Sequence, residues 1–167
     1  MKTINSIDKI NQLTKNDFID IFGNVFEKTN WIAEKTFDLK PYKNFNKLSS
    51  TIMEIYENSS KEDCLQIFNS HPELAVEKKL TEDSQKEQNN ANLNQCNNEE
   101  FNEFQSLNIE YKKKFGFPFI IAVKGKNKDE ILNCFRERIK NEINLEFKEA
   151  KKQVKKIATF RLSEIIN

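Results

Sequence analysis

Apolar residues recur at helical spacing through most of this chain, and few residues interrupt the pattern. Only three of its 167 residues are glycine and three are proline, the two types that most often end a helix. The clearest repeat begins at about Leu145 and places apolar side chains at 147, 150, 154, 157, 158, 162 and 165. Side chains three and four residues apart share one face of a helix, so this spacing predicts a long helix with a buried stripe. The pattern as a whole predicts an all-α fold.

The same spacing predicts earlier helices at about residues 13–26, 31–38, 48–56, 60–70, 84–88, 101–115 and 127–139. Thr14 and Ser60 are the expected N-caps of two of them. Capping boxes are expected at Ser84-x-x-Glu87 and from Asn127 to Glu130, and Gly116 suits the position that follows a helix. The Asn-rich run 89–98 is expected to be a frayed end and a loop.

Length and composition restrict the classes of protein. A chain of 167 residues fits one domain, so we expect a single domain over 1–167. The net charge of +1 gives no overall field for nucleic acid or an acidic membrane, whereas 14 Phe argue against disorder. Cys64, Cys96 and Cys134 are odd in number and far apart, which is not typical of a zinc site or a disulfide framework. With no signal-peptide pattern at the N-terminus, a reducing cytoplasm is the expected location.

The stretch FGFPFIIAVKG, residues 115–125, breaks the helical pattern. It is about half the length of a membrane-spanning helix and too rich in Gly and Pro for a helix interior, so it predicts a short extended buried segment at about 117–123. Buried extended backbone outside a sheet needs partners for its N–H and C=O groups. A small ligand rich in amide groups would supply them. The alternative is a buried connector bonded to neighbouring side chains.

Arg161 lies within the apolar stripe of the last helix, where the spacing 150, 154, 157, 161, 165 calls for an apolar residue. An arginine directed inward needs an anion, a carboxylate or carbonyl groups, because an unpaired buried charge costs several kcal/mol. The alternative is that Arg161 extends to solvent from the edge of the stripe, near the C-terminal end of the helix dipole.

His71 and Glu87 are the candidate acid–base groups. His71 is the only histidine, and it precedes Pro72, a residue that suits the first turn of a new helix; the dipole there would favour the neutral imidazole. Otherwise it is an ordinary surface histidine in a turn. Glu87 either caps the helix of the Ser84 box or, lining a cavity, orients the imidazole. Its neighbour Gln88 offers both a donor and an acceptor.

Together these segments resemble the OHCU decarboxylase family of urate degradation. The resemblance is carried by Trp31-Ile32-Ala33-Glu34, HPELA at 71–75, LTEDSQKEQ at 80–88, KFGFPFIIAVKG at 114–125, and a closing pattern of Arg138-Ile139-Lys140-Asn141, Glu146, Ala150, Lys156-Ile157 and Arg161-Leu162. It extends from about residue 13 to the end. The chain departs from the family pattern at Glu73, at Val76-Glu77, and at Ala91-Asn92-Leu93, where Ala-Gly-Leu is common.

The resemblance implies a cofactor-independent, all-helical enzyme that converts 2-oxo-4-hydroxy-4-carboxy-5-ureidoimidazoline to (S)-allantoin and CO2. It implies His71 and Glu87 as catalytic residues, and it assigns substrate binding to Pro72, Ser84, Gln88, Arg161 and the backbone of Phe119, Ile120 and Ile121. From composition we expect no metal, no nucleic acid and no membrane as partners, and the resemblance suggests a homodimer. We therefore expect His71, Glu87 and Arg161 to converge on one sheltered cavity. Three alternatives remain at this point: a helical module that binds purine breakdown products without turnover, a purely structural helical adaptor, which would need an exposed apolar stripe, and an enzyme for another ureido acid.

Overall fold

The computed structural model of the chain describes residues 3–76 and 80–166, and across these it is built from helices. The α-helices are α1 Ile7–Asn11, α2 Lys15–Phe22, α3 Asn30–Asp38, α4 Phe45–Glu57, α5 Lys61–Ser70, α6 Glu82–Asn90, α7 Asn98–Phe115, α8 Lys128–Arg138 and α9 Ile143–Ile165, with a short 3-10 helix at Leu93–Gln95. The only bridge of β type within these residues joins Ile4 to Ile166. The all-α prediction is confirmed. Of the helices described, none is both long and apolar enough to span a membrane.

The described residues divide into two compact units. One contains those of Met1–Ser70 and Lys155–Asn167, and the other contains those of His71–Val154. In the first unit α3 packs against α2 and α4. Its core includes the ring of Phe26 stacked on Tyr56, with centroids 4.7 Å apart. The prediction of a single domain over 1–167 stays a prediction.

The second unit contains α6, α7, α8 and the first half of α9, and aromatic rings form much of its core. Phe119 stacks on Phe135 with ring centroids 3.9 Å apart. Tyr111 of α7 meets both rings edge to face, at 5.4 Å from Phe119 and 5.7 Å from Phe135. All three side chains are almost inaccessible to solvent. The uncharged stretch that begins at Phe115 therefore forms the centre of this unit.

Several predicted helix ends are confirmed. The Thr14 side chain accepts a hydrogen bond from the Asp17 N–H at 3.2 Å, and Ser60 Oγ accepts one from the Asp63 N–H at 3.1 Å. Asn127 and Glu130 form the expected reciprocal box at the start of α8. Gly116 follows α7 with φ of +79°, in the left-handed region that glycine enters without steric cost.

Three local predictions are wrong. The first predicted helix stops at Phe22 instead of 26, because the chain turns at Gly23. Thr81, and not Ser84, caps α6: its side chain accepts from the Ser84 N–H, which makes Ser84 the third helical residue. Both residue types cap helices well, and the earlier one takes the position here. No helix begins at Pro72, since residues 71–76 have no helical structure.

Candidate functional site

The segment from Phe119 to Ala122 is buried and has no regular secondary structure, as its composition predicts. Two side chains hold one edge of its backbone. Arg138 Nη1 donates to the Ile120 carbonyl at 2.7 Å, and the Ala122 N–H donates to Gln153 Oε1 at 3.0 Å. Among residues 3–76 and 80–166, no group bonds to the main-chain N–H or C=O of Phe119 or Ile121. The alternative of a buried connector bonded to side chains therefore holds for the edge that carries the Ile120 carbonyl and the Ala122 N–H. At the other edge, the Phe119 and Ile121 groups that no described residue binds are left as donors and acceptors for a ligand.

The Glu146 carboxylate holds Arg138, the side chain that binds this segment. The carboxylate is inaccessible to solvent and accepts from Arg138 Nε at 2.8 Å and Nη2 at 2.5 Å. The Tyr111 hydroxyl donates to it at 2.5 Å and Asn141 Nδ2 at 3.0 Å. Burial, reinforced by the bond to this carboxylate, raises the pKa of Tyr111 well above its ordinary value. These four donated hydrogen bonds fix the position of the Glu146 carboxylate.

Three amide side chains hold the loop that follows His71. Gln88 Oε1 accepts from the Ala75 N–H at 3.1 Å, and its Nε2 donates to the Glu73 carbonyl at 3.2 Å. From α7, Gln105 Nε2 donates to the Ala75 carbonyl at 3.1 Å, and Asn108 Nδ2 donates to that of Leu74 at 3.0 Å. Ala75 has φ of +53°, which is costly for a residue with a Cβ. The bonds from the amides fix the loop in this conformation.

His71 itself is buried, with 9% of its surface exposed, so the surface-histidine alternative is wrong. It follows the last residue of α5, and Pro72 starts no helix, so the dipole argument made from the sequence does not apply.

The α6 residues of the predicted site lie on the same helix that holds this loop. Ser84 and Gln88 are buried and Glu87 is half-buried. Because Thr81 caps α6, Glu87 lies beyond the first turn, too far along the helix to bond the N-cap N–H. The capping role considered from the sequence is therefore wrong. Gln88 uses its amide on the backbone of 73–75, and a contact of Gln88 with substrate stays a prediction.

Helix α7 connects the loop and the buried segment. Gln105 and Asn108 bind the loop, and Tyr111, one turn after Asn108, packs against Phe119. Side chains at this spacing share one face of a helix. Within the second unit, α7 thus connects the loop after His71, which α6 also binds, to the 119–121 backbone.

Arg161 belongs to the first unit and is only 4% exposed. Its Nη2 lies 2.8 Å from Oε2 of Glu27, which is inaccessible to solvent, and its Nη1 donates to the Asn24 carbonyl at 2.9 Å. The alternative of an arginine extending into solvent is wrong, and the need for a carboxylate is confirmed. The convergence of Arg161 with His71 and Glu87 stays a prediction.

The supporting residues were missed from the sequence, although some carry a signal. Glu146 lies four residues before Ala150, so it occupies the same stripe of α9 as Arg161, and Asn108 lies on the apolar face of α7. Charged or amide residues at such positions predict buried polar networks. Glu27 lies outside any helix, and no periodicity identifies it.

One departure from the family pattern has a structural explanation. Asn92, where glycine is common in the family, has φ of +61°. Asparagine tolerates the left-handed region better than most residues, so the turn after α6 is preserved. Glu77, another departure, lies outside the described residues. Within the described part of the chain, Cys64, Cys96 and Cys134 are free, and no group of His, Cys, Asp and Glu side chains is clustered for a metal.

Comparisons with known proteins agree with the resemblance. The OHCU decarboxylase family model matches residues 11–163. The chain belongs to the OHCU decarboxylase family. A relative from Haloferax volcanii, a 2-oxo-4-hydroxy-4-carboxy-5-ureidoimidazoline decarboxylase, is 33% identical over 95% of each chain. A uric acid degradation bifunctional protein from Bacillus sp. TB-90 is 42% identical over 95% of this chain, which spans only 32% of that protein's length.

Two solved structures resemble this member of the OHCU decarboxylase family. An OHCU decarboxylase crystallised in the presence of (S)-allantoin matches with a TM-score of 0.67 and 26% identity, over 80% of this chain and 88% of the other. An (S)-allantoin synthase matches with a TM-score of 0.79 over 98% of this chain and 54% of the other, at 24% identity, which supports the fold alone.

Proposed function

We propose that this chain decarboxylates 2-oxo-4-hydroxy-4-carboxy-5-ureidoimidazoline to (S)-allantoin and CO2. The observation that carries the proposal is the match to the Haloferax decarboxylase along 95% of both chains. The buried backbone of Phe119 and Ile121 supports it, because no described residue bonds to its N–H and C=O groups and the substrate is rich in ring amide and ureido groups.

The reaction breaks the bond between ring carbon C4 and its carboxylate. The electron pair of that bond passes to C4 and is delocalised into the adjoining ring imine as CO2 leaves. The imine nitrogen that takes up this pair is protonated, the 4-hydroxyl gives up its proton and becomes a carbonyl, and one face of C5, the ring carbon that bears the ureido group, receives a proton, which sets the S configuration. Since the substrate itself accepts the electron pair, we propose that the protein requires no cofactor and acts through positioning and electrostatics.

In this proposal, His71 and Glu87 are the catalytic residues. The neutral imidazole of His71 takes the proton of the 4-hydroxyl as the C–C bond breaks, and Glu87 orients the imidazole. The burial of His71 supports this role, because a base shielded from water acts on the substrate without competing solvation.

Binding is assigned to the remaining site residues. The 119–121 backbone would bond the ureido and ring amides, with Pro72 and Ser84 alongside. Arg161 and Gln88 would fix the carbonyl groups. Glu27 would keep Arg161 charged and oriented for that contact, since the two form a buried pair.

The experiment uses freshly prepared substrate and follows allantoin formation by circular dichroism against the racemic spontaneous reaction. His71→Asn and Glu87→Gln keep side chains of similar shape and are expected to lower kcat at least about a hundredfold, as loss of acid–base catalysis does. Exposed Gln85→Leu on α6 is the control variant. Wild-type rate and stereoselectivity in His71→Asn would exclude the catalytic assignment.

A second outcome separates catalysis from binding alone. If the wild-type chain melts at a higher temperature with (S)-allantoin but does not accelerate the decay of the substrate, it is a binding module. Turnover of a different ureido acid in preference would identify a sister activity.

We also propose a cytoplasmic location, in keeping with three free cysteines in the described residues. The family resemblance further suggests a homodimer, which sedimentation would test.

A further inference from the structure

We propose that Arg138 and Gln153 are positioning residues that orient the main-chain N–H and C=O of Ile121 toward the ligand. The proposal rests on the proposed function for the identity of the ligand, but its structural part stands on the backbone of 119–122. In a trans peptide unit the C=O of one residue and the N–H of the next point in opposite directions.

Arg138 fixes the first of the two peptide units around Ile121. That unit contains the Ile120 carbonyl and the Ile121 N–H. Arg138 Nη1 binds the carbonyl at 2.7 Å, so the Ile121 N–H is directed away from the guanidinium. The guanidinium carbon of Arg138 also lies 4.4 Å from the centroid of the Phe119 ring. This contact holds Phe119, the residue before Ile120, in place as well.

Gln153 fixes the second unit, which contains the Ile121 carbonyl and the Ala122 N–H. Its Oε1 accepts from that N–H at 3.0 Å, so the Ile121 carbonyl is directed away from Gln153. Both polar groups of Ile121 are thereby oriented by side chains bound to their peptide partners. Neither group has a hydrogen-bond partner in the described part of the chain, and Ile121 is buried.

A buried donor and acceptor on one residue match a ligand group with an acceptor and a donor side by side. An amide or ureido –CO–NH– unit has this arrangement, whereas a carboxylate has acceptors only. Leaving the pair unmatched would cost the desolvation of both groups. The oriented Ile121 groups therefore select ligands with –CO–NH– units.

Each positioning side chain is itself held in place. Glu146 accepts two hydrogen bonds from Arg138, and Tyr111 and Asn141 hold Glu146. Gln153 Nε2 donates to Glu149 Oε1 at 2.8 Å, which leaves its Oε1 directed at Ala122. A flexible single-point cation cannot reproduce the guanidinium contacts, so lysine at 138 should not replace arginine.

The test combines two readouts on Arg138→Lys and Gln153→Leu. The first is the amide resonances of Ile121 and Ala122 in protein labelled with ¹⁵N-isoleucine and ¹⁵N-alanine, which report, without any ligand, the peptide units bound by Arg138 and by Gln153 respectively. The second is kinetics, where we expect KM to rise about tenfold with kcat changed much less, because one misaligned hydrogen bond weakens ground and transition states alike.

The chain offers two matched controls. Arg136 forms an exposed pair with Glu103, so Arg136→Lys makes the same substitution two residues away and should leave both readouts unchanged. The double variant Q153E/E149Q exchanges the two side chains, keeps an oxygen for the Ala122 N–H and should restore the KM lost in Gln153→Leu. Circular dichroism verifies that every variant is folded.

An unmoved Ile121 resonance in folded Arg138→Lys would overturn the positioning role of Arg138, and an unmoved Ala122 resonance in folded Gln153→Leu would overturn that of Gln153. A moved resonance with wild-type KM would overturn the assignment of Ile121 to ligand binding. If the wild-type chain does not turn over the ureidoimidazoline, the proposed function fails, and the Ile121 and Ala122 resonances alone then decide whether Arg138 and Gln153 orient the two peptide units around Ile121.

Discussion

Arg161 and Glu27 form an ion pair in which both side chains are almost fully buried, with 2.8 Å between Nη2 and Oε2. The two residues are far apart in sequence but belong to the same compact unit. Removing a single partner takes the opposite charge away from a buried ionised group, whereas removing both takes both charges out of the interior.

We expect Arg161→Met and Glu27→Leu each to lower the free energy of unfolding by about 4 kcal/mol, and the double variant to lose much less than the sum. Urea unfolding of the four proteins measures the coupling. Additive losses would mean that the two charges are stabilised independently by other groups.

Gln88 binds the loop after His71 through both atoms of its amide. Gln88→Leu is expected to lower the free energy of unfolding by about 2 kcal/mol, because the Ala75 N–H and the Glu73 carbonyl lose their partner. It should also lower kcat, because the loop positions the proposed base. The same substitution at exposed Gln85 should change stability by less than about 0.5 kcal/mol. Equal effects at the two positions would contradict the role of Gln88 in the loop.

Gly23 is needed for space and Gly116 for backbone conformation. A Cβ on Gly23 would lie 2.4 Å from the Ile19 carbonyl oxygen, whereas one on Gly116 would meet nothing within 4 Å. We expect Gly23→Ala to cost about 2 kcal/mol through the clash, and Gly116→Ala to cost about 1 kcal/mol through its positive φ. Thermal unfolding compares the two. A more stable Gly23→Ala would show that the turn after α2 relaxes freely.

Glu103 should contribute stability in a pH-dependent way. Its two hydrogen bonds to the Arg136 guanidinium lower the pKa of the carboxyl below its ordinary value. A carboxyl whose pKa is lower in the folded state stabilises the protein at pH values above its unfolded pKa of about 4.3. It loses that contribution as pH falls through the folded pKa. We expect Glu103→Gln to melt below the wild type at pH 7, and the difference to shrink below about pH 4.

The control for this prediction is the same substitution in an Arg136→Gln background, which removes the cause of the pKa shift. There the pH-dependent difference should be absent. A difference that persists would assign the effect to another partner of Glu103.

The local elements of this protein follow from its sequence. Helical spacing and helix ends depend on residues that lie within a turn of one another. The ends predicted in this way are the N-caps Thr14, Ser60 and Asn127 and the end of α7 at Gly116. The uncharged stretch with Gly116 and Pro118 likewise predicts a buried segment outside the helices. Arg161 on an apolar stripe predicts a buried charge with a partner. These features need only short-range sterics and hydrophobic periodicity.

Tertiary structure decided the partners of those features. Glu27 pairs with Arg161 across most of the chain length, and Arg138, Glu146 and Gln153 fix the backbone around Ile121 from two different helices. A hydrogen bond between distant residues depends on how helices pack, and no local spacing encodes that packing. Residue types alone therefore predicted that the buried segment and Arg161 need hydrogen-bond or charged partners. Only the packed chain determined which residues those partners are, because a buried polar group is stabilised by whichever side chain the fold brings within reach.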